Sequence, residues 1–162
     1  DNFNYKNINE VPKIEKVILH RGLSEALTNS AVLEKTFELF YAISGQKPVF
    51  TKAKKSISNF KLREGQVVGC KVTLRSKKMK NFLANLMYLS LPKIRDFRGI
   101  NPNGCDKFGN FSFGIKDDSI FPESNTELDK LRGMDITICT TAKSKEELLF
   151  LLKNIGMPFI KR

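Results

Sequence analysis

Gly69–Arg75 has the sequence GCKVTLR, the clearest structural signal in the chain. Its residues alternate in character: Cys70, Val72 and Leu74 are apolar, whereas Lys71, Thr73 and Arg75 are cationic or hydroxylated. Because successive side chains of a strand point to opposite faces, this pattern predicts a half-buried β-strand. One face of the sheet is therefore expected in the core, and the other is expected to present cations and a hydroxyl to solvent.

The residues before this strand predict an exposed basic segment. Pro48-Val49-Phe50 begins an extended run, and the interval Thr51–Val68 that follows has little apolar periodicity. Its lysine, serine, asparagine and glycine content favours a long cationic loop or hairpin. The outward face of Gly69–Arg75 is expected to be continuous with it.

Three helices are predicted. The first is capped by Ser30, has Leu33, Phe37, Phe40 and Tyr41 on a buried face, and ends at Gly45. The second runs from Lys77 to Leu91, with Ser76 as cap, Met79, Phe82, Leu83 and Leu86 buried, and Pro92 as its stop. The third begins at a Ser144-Lys145-Glu146-Glu147 capping box, buries Leu148, Leu151, Leu152 and Ile155, and ends at Gly156 and Pro158.

Further strands are predicted between the helices. Lys13–Leu19 is a short Ile- and Val-rich run that is expected to leave into a turn at Arg21-Gly22. Phe111 and Phe113 form a short alternating strand, and these two rings are favoured as core over base-stacking groups. Asp135–Thr141 is another β-rich run. The fold class expected is α+β, with an antiparallel sheet covered by helices on one face and a long basic loop.

The distribution of charge points to a polyanionic partner. The 162 residues carry a net charge of +11. Lys47–Lys80 holds eleven basic residues and one acid, Glu64, so about a fifth of the chain carries +10 of that charge. Such a block favours nucleic acid or an acidic membrane surface, and a merely solvated face is the less favoured reading. Lysines 77, 78 and 80 crowd a helix N-terminus, where an anion would relieve their repulsion with the dipole.

The sequence favours a binding protein over an enzyme. The only histidine, His20, has no neighbouring cysteine or carboxylate cluster, and no glycine-rich phosphate loop occurs. The acid pairs Asp117-Asp118 and Glu146-Glu147 are interpreted as structural. Cys70, Cys105 and Cys139 are too few for a disulfide framework and match no zinc motif, so reduced thiols, no metal and no cofactor are expected. No apolar run is long enough to cross a bilayer, so no membrane partner is expected.

Particular segments resemble a known family. They are FNYKNINEVPKIEKV, SGQKPVFTKAKKSISNFKLREG, GCKVTLR, LPKIRDFRGI, IFPE, RGMDITICTTAKS and GMPF, which follow one another from Phe3 to Phe159. They resemble the bacterial-type large-subunit ribosomal protein five, the family that binds 5S rRNA. The resemblance implies a single ribosomal-protein domain over residues 1–162, without the N-terminal helical segment that normally precedes FNY.

The resemblance also implies partners. Members of this family lie in the central protuberance, bind 5S rRNA and large-subunit rRNA, and neighbour other central-protuberance proteins. A loop lies near the elbow of the P-site tRNA, and a bridge reaches small-subunit ribosomal protein thirteen. Contacts to phosphates without base reading suit a site that accepts every tRNA, and polar sheet groups suit folded RNA.

The implied sites fall on defined positions of this sequence. The 5S rRNA face corresponds to His20, Gln46, Lys71, Thr73 and Arg75, with His20 standing where the family usually has asparagine. The tRNA-facing loop, Lys52–Gly65, would act through Lys52, Lys54, Lys55, Ser56, Phe60, Lys61 and Arg63. The small-subunit bridge, in the irregular stretch Arg98–Asn110, would involve Arg98, Lys107 and Asn110.

Composition adds an expectation about the source. Thirteen phenylalanines, no tryptophan and many lysines and asparagines are typical of an A/T-rich gene. The HRGLSEA segment resembles plastid and cyanobacterial members, which favours a ribosome of the plastid stroma, with mitochondrion and bacterial cytoplasm as alternatives. A free-standing RNA chaperone or membrane-surface protein that uses the same basic block nonspecifically is the rival class.

Overall fold

Five strands form one antiparallel sheet at the centre of the computed structural model, which describes residue 3 and residues 5–23, 30–124 and 132–160. In chain order they are β1 (Ile14–Gly22), β2 (Val49–Lys52), β3 (Val67–Leu74), β4 (Asn110–Ile115) and β5 (Met134–Thr140). The strand order across the sheet is β2-β3-β1-β5-β4. All four pairings are antiparallel, as the sequence predicted.

The central strand β1 extends further than the sequence predicted. Arg21 and Gly22 were expected in a turn, but they pair with Cys70 and Gly69 of β3, so that prediction is wrong. The reason is a buried ion pair: Arg21 is 2% exposed, and its Nη2 donates to Asp118 Oδ2 at 2.9 Å. A charge can be buried at this point of the strand because a carboxylate 97 residues away compensates it.

Three helices pack on one face of this sheet. They are α1 (Ser30–Ser44), α2 (Ser76–Asn85) and α3 (Lys145–Ile155). Their buried side chains form one core with the inward residues of β1, β3 and β5, among them Val17, Leu19, Val72, Ile136 and Ile138. The predicted α+β class, with an antiparallel sheet and helices on one face, is confirmed.

Helix α1 buries a slightly different face from the predicted one. Phe40 is fully buried and Phe37 half-buried, but Tyr41 is 56% exposed, so its assignment to the core is wrong. Neighbouring residues of a helix lie about 100° apart, and the stripe that faces the sheet passes through Leu39, Phe40 and Ile43. Gly45 ends the helix with φ +60°, as predicted. The predicted Ser30 cap concerns a side chain outside the described part of the structure.

Helix α2 departs from prediction at both ends. Ser76 is the first helical residue, with φ +50°, and no side-chain hydrogen bond caps the helix, so its assignment as cap is wrong. Regular α-helix ends at Asn85, and the chain continues through a π turn, Leu86–Ser90, and a 3-10 turn, Leu91–Lys93. Pro92 sits in the first turn of that last segment, where its missing N–H is not needed.

The third helix follows the prediction closely. Ser144 accepts a hydrogen bond from the Glu147 amide, and Gly156 ends the helix with φ +102°. Leu148 and Leu152 are buried, and Leu151 and Ile155 are half-buried. Among the predicted strand aromatics, Phe111 is fully buried and Phe113 packs against the core, which confirms their core assignment.

Candidate nucleic-acid interface

The sheet face opposite the helices carries the polar residues of β1, β3 and β5 in register. His20 pairs with Lys71 on one side and with Asp135 on the other, and Ile18 lies in the same way between Thr73 and Thr137. Lys71 is exposed and Thr73 half-exposed, whereas the alternate residues of β3 are buried. We call this surface the open face. It is solvent-accessible and polar, as the alternation in Gly69–Arg75 predicted.

Charge is unevenly distributed over the open face. Its β3 side carries Lys71, and exposed Arg75 follows the end of the strand. On the other side of β1, Asp135 is exposed, and its Oδ2 lies 3.8 Å from His20 Nδ1. A polyanion would therefore be attracted to the β3 side and repelled near Asp135.

Gln46 and Thr73, which the sequence analysis placed in one site, lie together. Gln46 Nε2 donates to the Thr73 carbonyl oxygen at 3.0 Å, and its backbone is held by Ser44, whose hydroxyl accepts a hydrogen bond from the Gln46 amide at 3.2 Å. No hydrogen bond within the described residues uses the Thr73 hydroxyl or the Gln46 side-chain oxygen. Both groups are therefore free to bind a ligand such as a ribose hydroxyl.

Lys78 has a structural partner that the sequence did not reveal. Its Nζ donates to the Gly45 carbonyl oxygen at 2.7 Å, at the C-terminus of α1. A cation there complements the helix dipole of α1 and compensates for its poor position at the start of α2. Of the three lysines in this cluster, Lys77 and Lys80 are exposed and lack such a bond within the described residues.

The predicted basic loop is an ordered hairpin between β2 and β3. Ala53 and Gln66 are joined by a backbone hydrogen bond of 2.8 Å, and Ile57 and Leu62 exchange two, of 2.9 and 3.1 Å. Lys61, with φ +51°, turns the chain at the tip. We call residues 52–65 the basic hairpin. Its backbone bonds make it a preformed projection, one of the two outcomes that the sequence allowed.

The side chains of the basic hairpin fall into two groups. The cations are all exposed, and Phe60 at the tip is 73% exposed; these residues are Lys52, Lys54, Lys55, Phe60, Lys61 and Arg63. Ser56 is different, because its hydroxyl accepts a hydrogen bond from the Glu64 amide at 2.9 Å and so stabilises the hairpin. The hairpin therefore presents five positive charges and one aromatic ring to solvent.

Two of the three predicted bridge residues, Lys107 and Asn110, belong to a tight turn. Arg98 and Lys107 are exposed, but Asn110 is engaged: its amide and side chain donate to the two Asp106 oxygens at 2.7 and 2.8 Å. These hydrogen bonds lower the pKa of the Asp106 carboxyl. Asn110 therefore shapes the turn, and Phe108 at its tip is 82% exposed.

Gly69 contributes to the shape of the open face, a role that the sequence did not reveal. A Cβ there would lie 2.5 Å from the Arg21 carbonyl oxygen, 2.9 Å from Thr51 Oγ1 and 3.4 Å from His20 Nε2. Only glycine lets β2, β3 and β1 converge at this point of the open face. The sequence offered the signal of an isolated glycine within a strand.

No helix of the described residues has the length and apolar character to span a membrane, and no group of three or more metal-ligating side chains occurs among them. The acid pair at 117–118 is structural, as predicted, since Asp117 accepts from the Ser119 amide and Asp118 binds Arg21.

The candidate interface is a polar, partly cationic sheet face beside a cationic hairpin. This arrangement is typical of proteins that recognise folded RNA by its shape and its sugar-phosphate backbone.

Comparison with known proteins identifies a family within this class of RNA-binding proteins. The family model for ribosomal protein L5 matches residues 7–63, and the model for the C-terminus of the same ribosomal protein family matches residues 67–159. Large ribosomal subunit protein uL5 of Symbiobacterium thermophilum is 50% identical over 99% of this chain and 89% of its own length. The uL5 proteins of Trichodesmium erythraeum and Malacoplasma penetrans are 53% and 51% identical, over 98% of this chain and 88% and 86% of their own lengths.

The chain belongs to the ribosomal protein L5 family, of bacterial type. It is a structural component of the large ribosomal subunit that supports translation, not an enzyme, and its partners are ribosomal RNA and ribosomal proteins.

Proposed function

We propose that this chain binds 5S rRNA through the β3 side of its open face. The observation that carries the proposal is the pairing of Gln46 with Thr73, which leaves a hydroxyl and an amide oxygen free between the exposed cations Lys71 and Arg75. Uncommitted polar groups read ribose and base edges, and the cations neutralise phosphates. His20, paired with Lys71 in the sheet, borders this surface.

Binding of purified 5S rRNA in a filter assay tests this surface. Thr73→Ala removes one hydroxyl from a half-exposed position, and Gln46→Ala removes the side-chain oxygen beside it. One lost hydrogen bond is worth about 0.5–1.5 kcal/mol, so affinity should fall about 2–10-fold in each variant. Thr137→Ala is the control, because it removes the same atoms from the same face beyond β1, where the hydroxyl is already engaged with that of Ser112 at 3.0 Å. Unchanged affinity in both test variants would contradict the assignment.

The basic hairpin is proposed to contact the P-site tRNA. Its cations project from an ordered two-stranded support, and phosphate contacts of this kind position an RNA without reading its sequence. Phe60 adds an exposed ring that is suited to stacking on a nucleobase. The contact therefore accepts tRNAs of every sequence.

A triple variant tests the hairpin separately from the sheet. Replacing Lys54, Lys55 and Lys61 by alanine should weaken P-site tRNA retention while 5S rRNA affinity stays within about twofold, since surface cations act locally at physiological salt. Replacing Lys35, Lys143 and Lys153 instead removes equal charge elsewhere. If 5S rRNA affinity collapses in the hairpin variant and tRNA retention survives, the hairpin has been assigned to the wrong RNA.

The segment 98–110 is proposed to bridge to small-subunit ribosomal protein thirteen, acting through Arg98 and Lys107. Both are exposed, whereas Asn110 supports them by closing the turn with Asp106. Light scattering of subunit association should show weaker joining for Arg98→Ala with Lys107→Ala. Equal joining by the variant and the parent protein would remove this segment from the bridge.

We further propose that residues 1–162 form a single domain, which predicts one cooperative unfolding transition. A place in the central protuberance of a plastid ribosome predicts co-sedimentation with the large subunit from chloroplast stroma at moderate salt. A free RNA chaperone, the rival class, would remain at the top of the gradient.

A further inference from the structure

Strand β4 lies at the edge of the sheet and borders a groove that the proposed RNA contacts do not use. The groove has a volume of about 860 Å³ and lies between β4 and the segment from Leu91 to Gly104. We call it the edge groove. Its volume is in the range of about 300–1,000 Å³ that is typical of ligand sites in proteins.

The backbone of β4 is available on this side. Asn110 accepts from the Asp106 amide, which lies outside the sheet, so alternate residues of β4 direct their N–H and C=O groups away from β5. The bridge between Cys105 and Phe111 covers the first part of this edge, and Gly104 lies against the Ser112 carbonyl. No backbone hydrogen bond of the described residues reaches the outward groups of Gly114, so the edge is open there.

The walls of the edge groove combine apolar and cationic side chains. Seven large apolar residues line it: Leu91, Ile94, Phe97, Ile100, Phe113, Ile115 and Ile120. Exposed Lys93, Arg95 and Lys116 lie around them, and the one acid of the lining, Asp117, is engaged with the Ser119 amide. The chemistry that fits is an extended chain with alternating apolar and acidic side chains.

We propose that the edge groove binds an extended acidic segment of a partner protein, which pairs with β4 at Gly114 as an additional antiparallel or parallel strand. Main-chain hydrogen bonds to the open edge supply affinity, and alternate side chains enter the apolar groove or meet the cations. The three cations determine the sign of the partner charge, and Phe97 and Ile94 offer the apolar contacts. At Gly114 the edge is neither covered nor blocked by proline, which suits this mode of recognition.

A peptide fits this site better than RNA does. The groove is apolar along its floor, whereas RNA recognition uses stacking rings or polar groups that track a phosphate backbone. The rings of the lining are half-buried against the core and do not stand free as platforms for bases. The outward N–H and C=O of Gly114 are spaced for a β-strand partner.

A model peptide tests the proposal on the full chain. The probe is a hexapeptide that alternates glutamate with valine, observed through the amide resonances of isotopically labelled protein. We expect saturable shifts at Gly114 and its neighbours. The same peptide with N-methylated backbone amides should bind at least about tenfold more weakly, since it cannot pair with a strand edge. A lysine-valine peptide should show a similar loss.

Charge reversal in the protein provides the complementary test. Lys93→Glu with Arg95→Glu should weaken the glutamate peptide about tenfold or more, while Lys35→Glu with Lys153→Glu, which changes the charge equally at exposed helical sites, should leave it within about twofold. Unchanged thermal unfolding of both variants excludes a folding defect. The proposal is overturned if Gly114 does not shift, if the methylated or lysine peptide binds equally, or if a polyuridine 12-mer displaces the peptide.

Discussion

Removal of the Asp118 carboxylate is the most informative single change to the fold. Asp118 and Arg21 are 3% and 2% exposed, and the Asp118 Oδ2 atom lies 2.9 Å from Arg21 Nη2. Burial lowers the pKa of the Arg21 guanidinium and the carboxylate opposes that shift, but the group stays charged at neutral pH. Asp118→Ala therefore leaves a positive charge in the core.

The cost can be estimated from the remaining partners of Arg21. Breaking a buried ion pair by removing one partner costs about 3–5 kcal/mol. Two carbonyl oxygens, of Gly133 and Arg132, still accept hydrogen bonds from the guanidinium at 2.9 and 3.2 Å, and the Phe40 ring lies 5.5 Å away. We therefore expect the lower end, about 3 kcal/mol, which is a large part of the usual 5–15 kcal/mol of domain stability.

Urea unfolding followed by circular dichroism measures this loss. The midpoint should fall while the slope with denaturant stays constant, because the surface exposed on unfolding is unchanged. Asp117→Ala is the matched control: it removes the same charge from the adjacent residue and one capping hydrogen bond, worth about 1 kcal/mol. A loss below about 1 kcal/mol for Asp118→Ala, or one equal to that of the control, would refute the reasoning.

Three further predictions concern the strands and the last helix. Gly69→Ala should lower the melting temperature by several degrees, because its Cβ would lie 2.5 Å from the Arg21 carbonyl oxygen, whereas Gly114→Ala, with nothing nearer than 3.4 Å, should change it little. Burial raises the pKa of the Cys70 thiol from 9.0 to about 11. Stability from this group is therefore present below pH 9 and lost as the pH rises towards 11, which a Cys70→Ala comparison in urea should reveal. Ser144→Ala should cost about 1 kcal/mol in the same assay, since the amide three residues on loses its acceptor.

The local patterns of the sequence predicted most of the fold. The alternation in Gly69–Arg75 correctly separated the buried from the open residues of β3, and the capping box at Ser144 correctly placed the start of α3. Both succeed because a two-residue or 3.6-residue period directly reflects which face is buried. Tyr41 was wrongly assigned to the core because apolar residues cover a broad part of the α1 surface. The sequence alone does not show which of these residues face the sheet.

Ion pairs and hydrogen bonds between residues that are far apart in the sequence could not be predicted in the same way. The extension of β1 through Arg21 depends on Asp118, 97 residues away, and no local signal connects the two. The contact of Lys78 with the end of α1 likewise joins residues 33 apart. Within the candidate site, only the resemblance to a family placed Gln46 and Thr73 in one site. The structure shows that the two residues are in contact, through the hydrogen bond from Gln46 Nε2 to the Thr73 carbonyl oxygen.

A density map of the native ribosome that contains this chain tests the central claim most directly. We expect 5S rRNA density against the open face, within hydrogen-bond distance of Thr73 and beside Lys71, with the basic hairpin projecting away towards the P-site tRNA. Density for 5S rRNA on the helical face instead, with the Thr73 hydroxyl exposed to solvent, would contradict it.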